Sequence, residues 1–228
     1  DFHIRVRMLV RDKQFIGQII DLFYTNLQSL VNNNLIWKIQ LDTYNRELER
    51  YGGIALIEEA ESFFCVDSEC ILLILKKMQE YSNENYRWMI ALKLVDAVLF
   101  DFSYDIAAKK DLMNELSNSF KTEFGFNTYN AKQFNHNYRE KKSQVENILG
   151  NTIEDSSFLS FYPIIQSRTE KLKSIVEKIE KNIAEVPGLT KDSLVKSYIH
   201  MCLNRLFRSK NRAHELILYD MMYRYYNS

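Results

Sequence analysis

Residues 54–81, IALIEEAESFFCVDSECILLILKKMQEY, decide the fold class of this chain. Apolar side chains recur there at helical spacing, which is typical of an amphipathic helix. The pair Asp67-Ser68 has the residue types of an N-cap, so we expect either one helix or two, with Asp67 capping the second. In both cases the segment is helical, and it is too long to be an ordinary strand.

Helical patterns continue after this segment. Pro187-Gly188 then breaks the chain, and Thr190 is expected to cap a helix that runs to about Phe207, with further helix after it. The apolar positions of the helix before the break are separated by charged ones, which indicates a solvated amphipathic face. The predicted helices cover residues 83–102, 105–126, 130–149, 158–185 and 190–207.

The first fifty residues have a different pattern. Residues 2–10 alternate between two faces, with Phe2, Ile4, Val6, Met8 and Val10 on one of them, which is the period of a half-buried strand. Residues 13–30 have helical spacing, and LIWKIQLDTY, residues 35–44, returns to extended character. The sequence therefore predicts one α+β domain over residues 1–228, predominantly α-helical with a small β-sheet near the N-terminus.

Composition limits the function classes. The chain is 46% hydrophobic, and its 30 basic residues balance its 30 acidic ones, so the overall charge attracts neither nucleic acid nor an anionic membrane. No apolar run is long enough for a membrane span and no signal peptide is evident, so we expect a cytoplasmic protein. The three cysteines lack metal spacing and are expected to be reduced core residues. Because the chain begins at Asp1, we expect it to have been separated from a longer polypeptide.

The opening HIRVR motif concentrates basic side chains. On a strand, Arg5 and Arg7 would lie roughly 6.6 Å apart on one face, with His3 beside them. Such a pair forms either a preformed anion site or an exposed basic strand face. The motif alone does not separate the two interpretations.

The stretch RELERYGG, residues 46–53, combines charge with two glycines. One helical turn would pair Glu47 with Arg50 and Arg46 with Glu49. The first glycine is expected to end that turn in the left-handed conformation. A second glycine is not needed for this purpose, so we expect close backbone approach there.

The segment YIHMCLNRLF places His200 and Asn204 four residues apart, on one face of a helix and beside its apolar stripe. A histidine in this position is either a satisfied core residue or a group that transfers protons near neutral pH. No His, Cys and carboxylate set has zinc spacing, and no phosphate loop is present.

Taken in order, these blocks resemble a known family. HIRVR, QLDTYNRELERYGG, AESFFCVDSECIL, the Arg87-Trp88 pair and HMCLNRLF are similar to blocks of the C-terminal domain of class I lantibiotic dehydratases, also found as thiopeptide-type bacteriocin biosynthesis proteins. The resemblance implies β-elimination of glutamate from O-glutamylated Ser or Thr of a precursor peptide, which leaves dehydroalanine or dehydrobutyrine. A partner domain or protein would attach that glutamate from glutamyl-tRNA. A homodimer is left open.

The resemblance also implies site residues. Those expected to carry out elimination are Arg5, Arg7, Glu47, Arg50 and His200, and those expected to contact the substrate are His3, Tyr44, Arg46, Tyr51 and Asn204. Guanidinium groups suit the departing carboxylate, and imidazole suits proton transfer. No metal or cofactor is expected. The open alternatives are a thiopeptide-type cycloaddition enzyme of the same fold and a non-catalytic scaffold that binds the precursor peptide.

Overall fold

The computed structural model describes residues 4–228 and divides the chain into two compact units, Asp1–Arg46 and Glu47–Ser228. In the first unit, a 3₁₀ turn, Lys13–Phe15, leads into α1, Ile16–Asn32. This agrees with the helix predicted over residues 13–30. α1 has no buried residue within the unit as described.

The predicted β-sheet is wrong, because residues 4–228 contain no strand. Residues 4–10 and 36–47 have no regular secondary structure. An alternating pattern marks a face that a sheet could bury, but a strand also requires hydrogen bonds to a neighbour. Most apolar side chains of both segments are exposed, as the 93% exposure of Ile4 and the 86% exposure of Trp37 illustrate, and Val10 and Ile36 are only partly buried. The described chain is therefore all-α, and the predicted start of the strand at Phe2 lies outside the described residues.

The second unit is a bundle of helices joined by short connections. Its longest helix spans residues 53–81 without interruption, so this segment forms one helix rather than two. The helices are α2, Gly53–Tyr81; α3, Asn85–Asp101; α4, Ile106–Glu123; α5, Thr128–Leu149; α6, Ser156–Leu159; α7, Tyr162–Asn182; α8, Lys191–Leu206; and α9, Asn211–Tyr226. Short 3₁₀ turns occupy Glu49–Tyr51 and Ile183–Glu185.

α3 lies at the centre of the bundle. It packs against α5, α7, α8 and α9, while α2 packs on α7 and α4 packs on α9. Apolar side chains on several sides of α3, including Ile90, Leu92 and Leu94, are fully buried. A helix that is apolar all round belongs in a core, because no face of it favours water.

Buried ionic groups connect the helices around this core. The Asp67 carboxylate accepts hydrogen bonds from Arg168 Nε at 2.8 Å and from Arg205 Nη1 at 3.0 Å. Arg168 also donates from Nη1 to Asp101 at 2.6 Å. The predicted N-cap at Asp67 is therefore wrong: this residue lies inside α2, and its carboxylate serves an ion pair that links α2 to α7 and α8.

Other local predictions are confirmed. Thr190 caps α8 by accepting from the Ser193 N–H at 3.1 Å, and α9 supplies the predicted further helix. Of the three cysteines, Cys70 and Cys202 are buried as expected, whereas Cys65 is exposed. Burial raises the pKa of the Cys70 thiol to about 12, so this thiol stays protonated.

Candidate functional site

The turn before α2 requires both of its glycines. Gly52 has φ +88° and Gly53 has φ +66°, and the Gly53 N–H donates to the Leu48 carbonyl at 2.6 Å. A Cβ at Gly52 would lie 2.8 Å from the Leu56 Cβ, whereas one at Gly53 would meet nothing within 4 Å. The predicted left-handed Gly52 is confirmed. The predicted close approach belongs to this first glycine and not to the second.

The predicted ion pair between Glu47 and Arg50 is present, at the longest distance that still counts as a salt bridge. Arg50 Nη1 lies 4.0 Å from Glu47 Oε2, and both side chains are about half exposed. The Arg50 guanidinium carbon also lies 5.6 Å from the centre of the Tyr51 ring. Because exposed pairs of this kind contribute only about 0–1 kcal/mol, the arrangement orients Arg50 more than it stabilises the fold.

Tyr51 anchors the turn to the bundle. Its ring is buried, packs edge-on against Phe64 at 4.9 Å and stacks on Tyr198 of α8 at 6.4 Å between centroids. The structure thus places this predicted substrate-contact residue among core aromatics. The exposed Arg50 side chain next to it is held by that anchored backbone.

His200 on α8 is held at both ring nitrogens. Its Nδ1 lies 3.0 Å from each carboxylate oxygen of Glu215 on α9, and its Nε2 lies 2.8 Å from the Asn204 amide nitrogen. Asn204 Oδ1 accepts from Asn211 at 2.8 Å, and the Tyr219 hydroxyl donates to Glu215 at 3.1 Å. The predicted neighbours His200 and Asn204 therefore contact one another within a polar network between α8 and α9.

The partners of His200 define its hydrogen positions. An ionised carboxylate only accepts hydrogen bonds, so Nδ1 carries the hydrogen that points at Glu215. In the neutral ring Nε2 then keeps its lone pair and accepts from Asn204. The His200 side chain is 23% exposed, whereas that of Glu215 is 1% exposed. The ring is therefore a partly accessible base with a buried anion behind it.

The sequence does not identify Glu215 as a partner of His200. It follows His214 in NRAHEL and lies on α9, so no spacing within a single helix joins it to His200. Only its distance of four residues from Tyr219, typical of two side chains on one helical face, could have indicated a shared polar site. The contact with His200 depends on how α8 and α9 meet.

On α8, His200 projects from a different side of the helix than Tyr198, the residue that contacts the turn before α2. Tyr198 stacks on Tyr51 of the turn, and His200 follows Tyr198 by two positions. At about 100° per residue, the two side chains project roughly 160° apart around the helix axis. The structure brings Glu47 together with Arg50, and His200 together with Asn204, as two separate groups.

The remaining predicted residues lie in the first unit. Arg5, Arg7 and Arg46 are exposed, and the Arg7 guanidinium carbon lies 4.7 Å from the centre of the Tyr44 ring. This is the geometry of a cation–π contact between two predicted site residues. His3 lies outside the described residues. That these side chains share one pocket with the residues of the second unit stays a prediction.

Arg87, from the Arg87-Trp88 block, has a structural role. It is buried, donates from Nη1 to the Leu206 carbonyl at 2.7 Å and pairs with Glu84 at 2.9 Å. A cation at the last carbonyls of α8 satisfies groups that have no partner within the helix. This block therefore stabilises the end of the helix that carries His200.

Two features that would indicate other classes of protein are absent from residues 4–228. No group of three or more His, Cys, Asp or Glu side chains is arranged to hold a metal ion there. Within the same residues, no helix has the length and apolar character needed to cross a membrane.

These features define an all-helical domain with a carboxylate-backed histidine and a Glu–Arg turn closed by two glycines. The chain belongs to the family described as "Lantibiotic biosynthesis dehydratase C-term", whose model matches residues 1–226. It is 27% identical over 225 residues to the nisin biosynthesis protein NisB of Lactococcus lactis subsp. lactis and 23% identical over 215 residues to the epidermin biosynthesis protein EpiB of Staphylococcus epidermidis. It is also 31% identical over 102 residues to the subtilin biosynthesis protein SpaB of Bacillus subtilis.

The matches cover different shares of the proteins. They include 96% of this chain against NisB, 94% against EpiB and 43% against SpaB. The matched regions are 20% of NisB, 20% of EpiB and 10% of SpaB, so the chain corresponds to at most about a fifth of each relative. No solved structure matches the chain.

Proposed function

We propose that this chain eliminates glutamate from O-glutamylated serine or threonine of a precursor peptide, leaving dehydroalanine or dehydrobutyrine. Family membership over residues 1–226 supports dehydration as the reaction class, and the related proteins are named for the biosynthesis of nisin, epidermin and subtilin. The single observation that carries the proposal is the partly exposed His200, whose Nδ1 lies 3.0 Å from a buried carboxylate. β-Elimination requires such a base.

The reaction places demands on two ends of the substrate. A base removes the proton from the peptide Cα, the electron pair forms the Cα=Cβ bond, and the Cβ–O bond breaks as its pair passes to the glutamate carboxylate. His200 takes the proton at Nε2. The departing carboxylate needs cations rather than a proton, because a carboxylate is already a good leaving group.

The arginines supply those cations. Guanidinium groups stay ionised and bind carboxylates through two parallel hydrogen bonds, which suits Arg5, Arg7 and Arg50 to holding the glutamyl group and its product. Glu47, 4.0 Å from Arg50, either orients that arginine or pairs with the ammonium group of the glutamyl moiety. Within the first unit, the Tyr44 ring lies next to the Arg7 guanidinium.

The proposed partners follow from the chemistry. The substrate is a precursor peptide that already carries glutamate esters, so a glutamylating domain or protein must act first. The enzyme class is a lyase that works without a metal or an organic cofactor, in the cytoplasm where charged tRNA is found.

The experiment that tests this function uses a precursor peptide with a synthetic glutamyl ester on serine. The chain is incubated with it, and mass spectrometry follows loss of glutamate and formation of dehydroalanine. Loss that depends on the chain and is absent with His200→Ala supports the proposal. A peptide that binds and keeps its glutamate overturns it in favour of a scaffold, and turnover of a bis-dehydroalanine peptide alone points to cycloaddition.

A further inference from the structure

We propose that Glu215 is the positioning residue of the elimination site: it fixes the tautomer of His200 and stabilises the imidazolium that forms when Nε2 takes the proton. The inference rests on the proposed function and deepens it. Glu215 lies outside the sequence blocks that resemble the family. Its role follows from two contacts between α8 and α9, together with one contact within each of these helices.

The Glu215 carboxylate lies directly against the Nδ1 side of the His200 ring. Both carboxylate oxygens of Glu215 lie 3.0 Å from His200 Nδ1, and the Tyr219 hydroxyl donates to one of them at 3.1 Å. Because the carboxylate is buried, its charge is poorly solvated and strongly favours a positive partner. The imidazolium form of His200 is a positive partner in contact with it.

The hydrogen positions of His200 set the direction of proton transfer. With Nδ1–H committed to Glu215, the lone pair is at Nε2, on the other edge of the ring, where it accepts from Asn204 until the Cα proton of the substrate takes that place. When the Cα proton arrives there, the imidazolium is paired with the Glu215 carboxylate behind it. The proton then leaves from Nε2 to water after glutamate has departed. This is the division of roles that a carboxylate–histidine pair serves in other enzymes.

The Asn204 side chain faces His200 Nε2. Its amide nitrogen lies 2.8 Å from that atom, and its oxygen accepts from Asn211. An amide offers donors on one side and an acceptor on the other, so a half-turn would present the Asn204 oxygen to the imidazolium N–H. Asn211 would have to turn with it, so that its Oδ1, which has no hydrogen-bond partner within residues 4–228, accepts from the Asn204 amide. The Asn204 amide can therefore hydrogen-bond to Nε2 in both protonation states of the ring, while Glu215 accepts from Nδ1–H in both.

The test replaces the charge and keeps the shape. Glu215→Gln offers Nδ1 an N–H as well as a carbonyl, so the ring can adopt the other tautomer and the imidazolium loses its anion. We expect the single-turnover elimination rate at saturating glutamylated peptide to fall at least about 100-fold, with peptide affinity within about twofold. The matched control is Glu140→Gln, at an exposed pair where His136 Nε2 lies 3.3 Å from Glu140 Oε1, and its rate should equal that of the wild type.

A second measurement needs no variant and no substrate. The ¹⁵N shifts of the four histidines report which ring nitrogen carries the proton, and His200 should be the Nδ1–H tautomer. An Nε2–H tautomer in the wild type, or an unchanged elimination rate in Glu215→Gln, overturns this inference and leaves the proposed function standing. Absence of elimination by the wild type overturns the proposed function instead. If Glu215→Gln fails to fold, Tyr219→Phe, which removes only the hydrogen bond to Glu215, should slow elimination, and a normal rate would refute the role.

Discussion

Replacing His200 with alanine separates a catalytic role from a structural one. The substitution removes the Nδ1–H that faces both oxygens of the buried Glu215 and leaves that carboxylate with the Tyr219 hydroxyl. A buried polar group that loses its partner costs about 1–3 kcal/mol. For a domain of this size each kcal/mol lowers Tm by about 2–4 °C, so we expect a drop of roughly 2–12 °C.

The chemical effect is expected to be far larger than the loss of folded protein. The glutamyl ester should still bind, because the arginines that receive it are unchanged, but its Cα proton should no longer be removed at a useful rate. Loss of a general base lowers rates by about 100- to 10,000-fold. Glutamylated peptide should therefore accumulate where the wild type converts it.

The assay measures Tm and single-turnover elimination on the same preparation, at a temperature well below the melting transition. His200→Gln is the matched variant, since its amide can still donate to Glu215 but cannot take a proton; it should melt closer to the wild type and stay inactive. A His200→Ala protein that melts early yet eliminates at the wild-type rate per folded molecule would refute the reasoning and assign the ring to packing.

Three further predictions concern charge, metal and the core. Arg50→Lys should lose most of the elimination rate at unchanged Tm, because an ammonium cannot bind a carboxylate in the bidentate way. If Arg50 and His200 act in one step, the double variant Arg50→Lys, His200→Ala should be little slower than the slower single variant. Additive losses of activation free energy would show instead that the two residues act independently. Treatment with a chelator should leave the elimination rate unchanged, and activity restored by one divalent ion would contradict this. Arg168→Met should lower the free energy of unfolding by about 3–5 kcal/mol in urea, because it leaves the buried Asp101 carboxylate without its arginine and leaves Asp67 with Arg205 alone. Lys171→Met, at an exposed pair one turn away, should change it by less than about 1 kcal/mol.

Local signals in the sequence were sufficient for most helix positions. Thr190 caps α8 through its own side chain, and Gly52 ends the preceding turn by adopting positive φ, so each effect depends on residues a few positions away. Asp67 shows where this reasoning fails. Its residue type predicts a cap, but a partner 101 residues away, Arg168, holds its carboxylate inside a continuous helix.

The wrong prediction of a sheet and the unpredicted contact between His200 and Glu215 have the same physical cause. Alternation around Val6 describes what a strand would bury but not whether a neighbouring strand exists, and within residues 4–228 none does. The helical face of His200 leaves a core role and a proton-transfer role open, and only the family resemblance favours the second. Its contact with Glu215 could not be predicted, because the packing of α8 against α9 creates it. Pairings between elements are set by tertiary structure, which a single sequence states only indirectly.

The proposed elimination limits how far apart Arg50 and His200 can act if they serve the same substrate. Seven bonds lie between the acidic Cα of the peptide and the carbon of the free glutamyl carboxylate, whichever carboxyl group forms the ester. Three backbone bonds span about 3.5 Å when extended, so these two points can be roughly 8 Å apart. The group that takes the proton and the group that holds the free carboxylate therefore need not touch. If His200 takes the proton and Arg50 holds the free carboxylate, the proposal requires the two side chains to reach points no more than roughly 8 Å apart on one extended glutamyl ester.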